Sequence, residues 1–385
     1  MSGKFAKLIM ISELNNNKFY EMEWDGKSST FNVKYGRVES TITNAVYNIS
    51  KWDSKYNEKI KKGYKDVTSS FAEDDADTST FNKIQDVTVD NFINKMVNYT
   101  KGLIKNTYSI KAKSVTKKQI ENAQSFIDEI LKTSKKDKDL INKLLIDLYT
   151  EIPRYMGNVR DHLLPNINIK DIIENEQDNL DALSSQVKFV NNSSSSNLNL
   201  LDHLGIKMKE IKPNCKDIDY IISQLSKNKI KSVFQVEKET HDNILKNWIS
   251  KQKNKSTRFL IHGTKCSSVV PIIEQGLKIR PSGNYQFSGK AYGEGNYFSE
   301  VTSKSLNYTG WDSDQVLLIY EVHTGNPFKY NGWYRGNSFS LNYKELSSRG
   351  YDSTYVSAGN GLVNSEIIVY KEQQASLKYI IWLNR

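Results

Sequence analysis

Cysteine is nearly absent: the 385-residue chain holds two, Cys215 and Cys266. Two thiols cannot build a four-cysteine zinc site, and the five histidines show no finger spacing. With no disulfide framework, the composition suits an intracellular protein. Long apolar runs are missing as well, so no membrane-spanning segment is expected. The opening MSGKFAKLIMISEL has only a short apolar patch that an acid soon ends, so it is not read as a signal peptide. Acids are outnumbered, 44 against 54 basic residues, and the formal charge of +10 favours an acidic partner such as nucleic acid. No internal repeat appears, and the length allows two or three domains with sizeable cores.

What is present changes character along the chain. Around residues 7–11, 19–24 and 31–38 apolar and polar residues alternate, which predicts strands. A basic stretch follows, KWDSKYNEKIKKGYK at 51–65, with six lysines against two acids. AEDDAD at 72–77 reads as a solvated acidic tether. From about 87 to 187 the pattern is helical. Thr116-Lys117-Lys118-Gln119 is a capping box, and Ile120, Ala123, Ile127, Ile130 and Leu131 follow at helical spacing. A further helix carries Leu140, Ile141, Leu144, Leu145, Leu148 and Ile152 as core and stops at Pro153. NNSSSSN at 191–197 reads as a flexible polar linker. Beyond it strands, short helices and glycine-rich loops alternate without a βαβ rhythm, which predicts an α+β domain.

The chemistry concentrates in this last part. RFLIHG at 258–263 is a short apolar strand ending at His-Gly. GEGNYFSE at 293–300 is a strand entered from a tight loop. SKSLNY at 303–308 opens a helix with hydroxyls near its start. Glu366 begins the strand-like run Ile367-Ile368-Val369-Tyr370. Singly, each has an ordinary explanation: a structural histidine, core tyrosines, a solvated strand end.

Together, in this order, they resemble the catalytic domain of the poly(ADP-ribose) polymerase family, whose signature is a His, a Tyr and a Glu on separate strands. The matching positions are His262, Tyr297 and Glu366; GLKI at 276–279 and EIIVYKEQQASLKYIIWL at 366–383 match as well. The resemblance implies transfer of ADP-ribose from NAD+, as co-substrate, with release of nicotinamide and no metal. Glu366 is implied to hold the nicotinamide ribose and act as general base on the acceptor, and His262 to bond the adenosine ribose. Gly263 and Ser305 are implied to grip the carboxamide, Tyr297 and Tyr308 to flank the ring, and Thr264 and Lys278 to lie on the adenosine side. Lys304 is placed to pair with Glu366. Lys278 stands where long family members carry arginine, keeping charge without the bidentate fork. Glu294 stands where chain-forming members carry lysine, and the acceptor-side stretch 331–357 is short and poorly matched, which puts elongation in question.

The first part resembles the family's WGR module through NNNKFY at 15–20, NVKYGRV at 32–38 and KKGYK at 61–65, with Tyr35 in place of the tryptophan. That module holds broken DNA ends, so Asn17, Lys18, Tyr35 and Arg37 are candidate contacts, by stacking on an exposed sugar or base and by pairing a phosphate. SVTKKQIENAQ, DLYTEIPRYMG and ENEQDNLDAL resemble the family's regulatory helical domain more loosely. The expected architecture is multidomain: a small β-rich WGR module at 1–80, an all-α regulatory domain at 87–190 and an α+β ADP-ribosyltransferase domain at 198–385. The expected function is a DNA-break-activated transferase that modifies itself and nearby proteins in the DNA damage response. A mono-ADP-ribosyltransferase and an inactive DNA-end binder are the alternatives. Nuclear location is expected from the DNA partnership alone, since no strong basic import cluster is visible.

Overall fold

The computed structural model describes residues 3–38, 40–68, 81–193, 198–281, 283, 285, 290–330, 341–359 and 362–385. The acidic stretch 72–77, residues 194–197 of the linker and 331–340 of the acceptor-side stretch lie outside them. The chain forms two compact units, Met1–Ser79 with Gly102–Ser194 and Gly283–Tyr285, and Thr80–Lys101 with Ser195–Ser282 and Gln286–Arg385.

The first unit begins with an antiparallel sheet of β1 (Lys4–Ser12), β2 (Asn16–Trp24), β3 (Thr30–Arg37), β4 (Thr43–Asn48) and β5 (Lys65–Asp66), ordered β4-β3-β2-β1-β5. Period-2 burial places Ala6, Leu8, Tyr20, Met22, Phe31 and Val33 on one face, where Trp52 of helix α1 (Trp52–Lys61) sits edge-on to Phe31 at 5.0 Å. Ile9 and Ile11, on the other face of β1, are buried too, because the helix at Lys138–Glu151 packs there. The lysine-rich stretch is thus mostly α1. Helices α2 (Val87–Thr107), α3 (Lys117–Lys132), α4 (Lys138–Glu151) and α5 (Ile169–Ser193) follow. The Thr116 hydroxyl caps the Gln119 amide at 3.2 Å while the Gln119 side chain accepts from Thr116 N at 3.0 Å. The inward stripe of α4 is Ile141, Leu144, Leu145 and Leu148; Leu140, expected in the core, is 41% exposed in the first turn. Helix α5 takes in the backbone of 191–193, the start of the expected linker.

The second unit is α+β. Its larger sheet, ordered β6-β7-β14-β10-β8, is made of β6 (Lys207–Ile211), β7 (Ile230–Glu237), β8 (Thr257–Thr264), β10 (Asp314–His323) and β14 (Ala375–Asn384). The smaller, ordered β11-β12-β13-β9, is made of β9 (Asn296–Phe298), β11 (Pro327–Tyr330), β12 (Ser353–Val356) and β13 (Glu366–Val369). Helices α6 (Leu200–Leu204), α7 (Asp219–Ser223), α8 (Glu239–Ser250), α9 (Cys266–Gln275), α10 (Thr302–Leu306) and α11 (Tyr343–Ser348) fill the connections. The central strands β10 and β14 are nearly continuous apolar runs because both faces are buried. One face is covered from the front of the sequence: Phe92 of α2 is fully buried, its ring 4.9 Å from Phe234 and 5.5 Å from Trp382. The greater part of α2, Val87 through Lys101, therefore belongs to this unit.

Candidate active site

Three strands converge. Ile261 of β8 exchanges backbone hydrogen bonds with Ser299, just past β9, at 2.8 and 2.9 Å. That bridge joins the edge of the larger sheet to the edge of the smaller. On β9, Tyr297 is paired with Ile368 of β13, whose first residue is Glu366. Adjacency of β8, β9 and β13 therefore gathers His262, Tyr297 and Glu366 from positions over a hundred residues apart.

His262 Nδ1 lies 3.1 Å from the Tyr297 carbonyl. A carbonyl only accepts, so Nδ1 carries the proton. Burial pushes the imidazole below its ordinary range, against a smaller opposing pull from that carbonyl. The ring is then neutral near pH 7, and Nε2 is left as an acceptor, ready for a hydroxyl. The Tyr297 phenol is held at both ends of its hydrogen-bonding capacity: it donates to Gly293 O at 2.9 Å and accepts from Tyr292 N at 2.8 Å. Gly293 has φ +95°, and a Cβ there would stand 2.0 Å from the Leu341 carbonyl, so only glycine fits this loop.

Glu366 is 8% exposed, and Lys304 Nζ of α10 lies 2.6 Å from its Oε1. A buried carboxylate with one cation beside it keeps lone pairs for ligand hydroxyls. Burial first, and the Glu366 charge second, raise the Tyr308 phenol above its usual range; the same two causes act on Tyr292. Both rings therefore feel the carboxylate. Tyr308 is 52% exposed and stands at the rim.

Gly263 has a specific reason to be glycine: a Cβ would be 1.8 Å from the Ser305 carbonyl, so α10 is docked directly on β8. The Ser305 hydroxyl is buried and lies 3.4 Å from the Ile261 carbonyl. Peptide groups alternate direction along a strand, so Gly263 turns its N–H and C=O to the same side as Ile261 does, away from β10. The geometry thus brings together His262, Gly263, Tyr297, Lys304, Ser305 and Glu366, with Tyr308 at the edge. Thr264 ends β8, buried opposite Val316. Lys278 stands apart on the loop after α9, its Nζ 3.0 Å from Glu372. Two residues passed over in the sequence hold candidate residues in place: Tyr292, whose amide donates to the Tyr297 hydroxyl and whose carbonyl accepts from Tyr370 at 2.8 Å, and, away from the gathered site, Glu372, which pairs with Lys278. No spacing marks Tyr292; an acid six residues after Glu366 was the only trace of Glu372. Among the described residues, no group of three or more His, Cys, Asp or Glu could hold a metal ion, and no helix is long and apolar enough to cross a membrane.

In the β-rich part, Lys18 pairs across the strands with Arg37, and Tyr20 with Tyr35, so Lys18, Tyr35 and Arg37 share one sheet face. Asn17 faces the other way and is buried, its amide nitrogen without a partner among the described residues. Arg37 is committed within the unit: it donates to the Asn15 side chain at 2.8 Å, to the Asn15 carbonyl and to the Gly157 carbonyl. Lys59 was not singled out from the basic stretch, yet its Nζ lies 4.2 Å from the Tyr20 ring centroid, 5.5 Å from Tyr64 and 6.0 Å from Tyr35. Burial, with Lys62 adding, draws its ammonium below the ordinary range.

Residues 215–385 match the family model for the poly(ADP-ribose) polymerase catalytic domain. Putative poly [ADP-ribose] polymerase-like 100L of Invertebrate iridescent virus 6 is 57% identical over 180 residues, 46% of this chain and 98% of that protein. Uncharacterized protein 101L of the same virus is 46% identical over 185 residues, 48% of this chain and 78% of that protein. Poly [ADP-ribose] polymerase 1 of Gallus gallus is 25% identical over 315 residues, 70% of this chain but 30% of that protein.

Proposed function

The chain belongs to the poly(ADP-ribose) polymerase family, and on that premise we propose that it is a transferase switched on by DNA breaks, acting in the DNA damage response. Its class, an NAD+ ADP-ribosyltransferase with NAD+ as co-substrate, comes with the family. The observation that carries the catalytic reading is the meeting of His262, Tyr297 and Glu366 on three adjoining strands, with Lys304 on the carboxylate.

The roles are those the family resemblance implies, and the chemistry of each group suits them. Glu366 accepts from the 2′-hydroxyl of the nicotinamide ribose and takes the proton of the acceptor hydroxyl. Its negative charge also favours the oxocarbenium-like state that forms as nicotinamide leaves. Lys304 fixes the direction of that carboxylate. The Gly263 N–H and C=O form a donor–acceptor pair that complements a carboxamide, and the Ser305 hydroxyl adds a third partner. Tyr297 and Tyr308 take the ring between them by offset stacking. His262 Nε2 accepts from a hydroxyl of the adenosine ribose, and Thr264 and Lys278 lie on that side.

The activating partner is a DNA end or nick, preferably 5′-phosphorylated, held by a WGR-type module at about 1–80. Lys18, Tyr35 and Arg37 on one face, beside a net charge of +10, support this reading. Asn17 enters it as a support beneath that face, since its side chain is buried. A helical module at about 87–190 restrains a catalytic module at about 198–385 until DNA binds. Acceptors are nearby proteins and the chain itself, and the expected compartment is the nucleus.

The product is read as polymer, with single ADP-ribose units the alternative: Glu294 puts a negative charge on the loop that leads into the strand of Tyr297. The test is incubation with labelled NAD+ and nicked DNA. A ladder supports a polymerase, one discrete band mono-transfer, and no label an inactive DNA-end binder. Label from Glu366→Gln at the parental rate would sink the catalytic assignment.

A further inference from the structure

The loop at 276–279 carries Lys278, whose side chain is a flexible point charge with no geometry of its own. Glu372 supplies that geometry. One of its oxygens lies 3.0 Å from Lys278 Nζ, and the other accepts from the backbone N–H of Ile279 at 2.9 Å. A single carboxylate therefore grips both the head of the lysine and the chain that bears it.

The platform under Glu372 is rigid. Residues 372–374 form a tight helical turn directly after β13, the strand that Glu366 opens. Gln374 is fully buried and locks the turn from both ends of its amide. Its oxygen accepts from Tyr370 N at 3.1 Å and Lys371 N at 3.0 Å; its nitrogen donates to Asp352 O at 2.9 Å and His323 O at 3.2 Å. Without the clamp the loop has room to shift. A cavity of about 120 Å³ lies beside it, lined among others by His241, Gly276, Lys278, Tyr320 and Glu372. Burial first, then Lys238 and Lys278, lower the His241 imidazole to about 4, so near pH 7 it offers Glu372 no competing cation.

We propose that Glu372 is a positioning residue for NAD+, holding Lys278 and the 276–279 loop in register with Glu366 through the shared strand-and-turn segment 366–374. The inference rests on the reading of Lys278 as an adenosine-side residue. One stiff segment then sets both ends of the dinucleotide site: Glu366 at the nicotinamide ribose and Glu372, through Lys278, at the adenosine end. The clamp gives the Lys278 ammonium a fixed direction, which a single point charge on a flexible stem does not carry within itself.

The test is steady-state transfer by the full chain with nicked DNA, NAD+ being varied, for Glu372→Gln, Lys278→Ala and the double variant. Glu372→Gln is expected to raise KM for NAD+ by about fivefold with kcat within about twofold, since half-exposed ion pairs are modest in effect. Inhibition by nicotinamide, which occupies only the other end, stays at the parental value. The double variant is expected to be no worse than Lys278→Ala alone, and Glu372→Asp to recover part of the loss. An unchanged KM in Glu372→Gln beside a raised KM in Lys278→Ala overturns the clamp, as does a double variant whose effects multiply. An unchanged KM in Lys278→Ala overturns the adenosine-side reading itself, and the clamp with it.

Discussion

The two units bury charge in different ways. In the second, Asp314 at the head of β10 has no exposed side chain, yet every lone pair is used. Lys95 at 2.9 Å and Tyr99 at 2.7 Å reach one oxygen; Lys231 and Trp382 Nε1, the latter at 2.8 Å, reach the other. Burial works to raise this carboxyl, but the four donors together hold it well below the usual carboxylate range. In the first unit, Arg154 is 4% exposed and is paired with Glu176, its guanidinium 4.5 Å from the Tyr149 ring and 5.2 Å from Tyr108. Its Nε has no partner among the described residues. A fully satisfied buried network makes a stiff, all-or-none core, while an incompletely satisfied one lowers the cost of opening. The contrast fits the proposed roles: a rigid catalytic unit and a helical module able to loosen.

The largest expected effect is chemical. Glu366→Gln should lower transfer by roughly 10²–10⁴-fold, the usual worth of a positioned base, while NAD+ still binds. If stability of the second unit falls as far as in Asp314→Asn, the loss is one of folding and the comparison fails. Asp314→Asn is expected to remove about 3–5 kcal/mol from that unit by leaving Lys95 and Lys231 without their counter-charge. Differential scanning calorimetry should show its transition shifted and that of the first unit left in place.

Next come changes that should loosen the first unit. Leu144→Ala opens a cavity worth roughly 2–5 kcal/mol and should raise activity measured without DNA. Arg154→Leu should act in the same direction, and Arg154→Leu with Glu176→Leu should cost less than Arg154→Leu alone, because no charge is stranded. Excision of 102–187, which leaves Phe92, Lys95 and Tyr99 in place, should give an enzyme independent of DNA. Stimulation of about a hundredfold requires DNA to favour the loosened state by about 3 kcal/mol. If the excised protein folds and still depends on DNA, the helical module is a spacer.

Tyr35→Ala with Arg37→Ala should abolish most stimulation by nicked DNA and flatten the salt dependence of binding, read by fluorescence anisotropy. The smallest effect concerns pH. Asp314 is depressed in the folded state, so its contribution is present above the unfolded carboxyl value of about 4 and is lost as pH falls below it. The second unit should therefore show no Asp314-linked change from about pH 5 to 8, and Asp314→Asn should remove the part of its acid dependence that Asp314 contributes.

Much of this was legible in the residues. Alternation marked β1 to β3, and Thr116 with Gln119 marked the start of α3. The apolar runs beside His262, Tyr297 and Glu366 marked three strands, because local periodicity and capping act over a few residues. Leu140 was misplaced for a plain reason: a periodic stripe says which face is apolar, not how far along the helix a partner reaches.

Read alone, the residues carried the family and those strands and helices that have a local pattern: β1 to β3, α3, α4 and the strands at His262, Tyr297 and Glu366. Packing alone set that most of α2 serves the second unit, that Asn17 is buried, that Arg37 is bound to Asn15 and Gly157, and that Ser305 demands Gly263. It alone paired Glu372 with Lys278. Each depends on contacts between residues tens to more than a hundred positions apart, and which distant groups meet is set by packing the whole sheet, not by any window of neighbours.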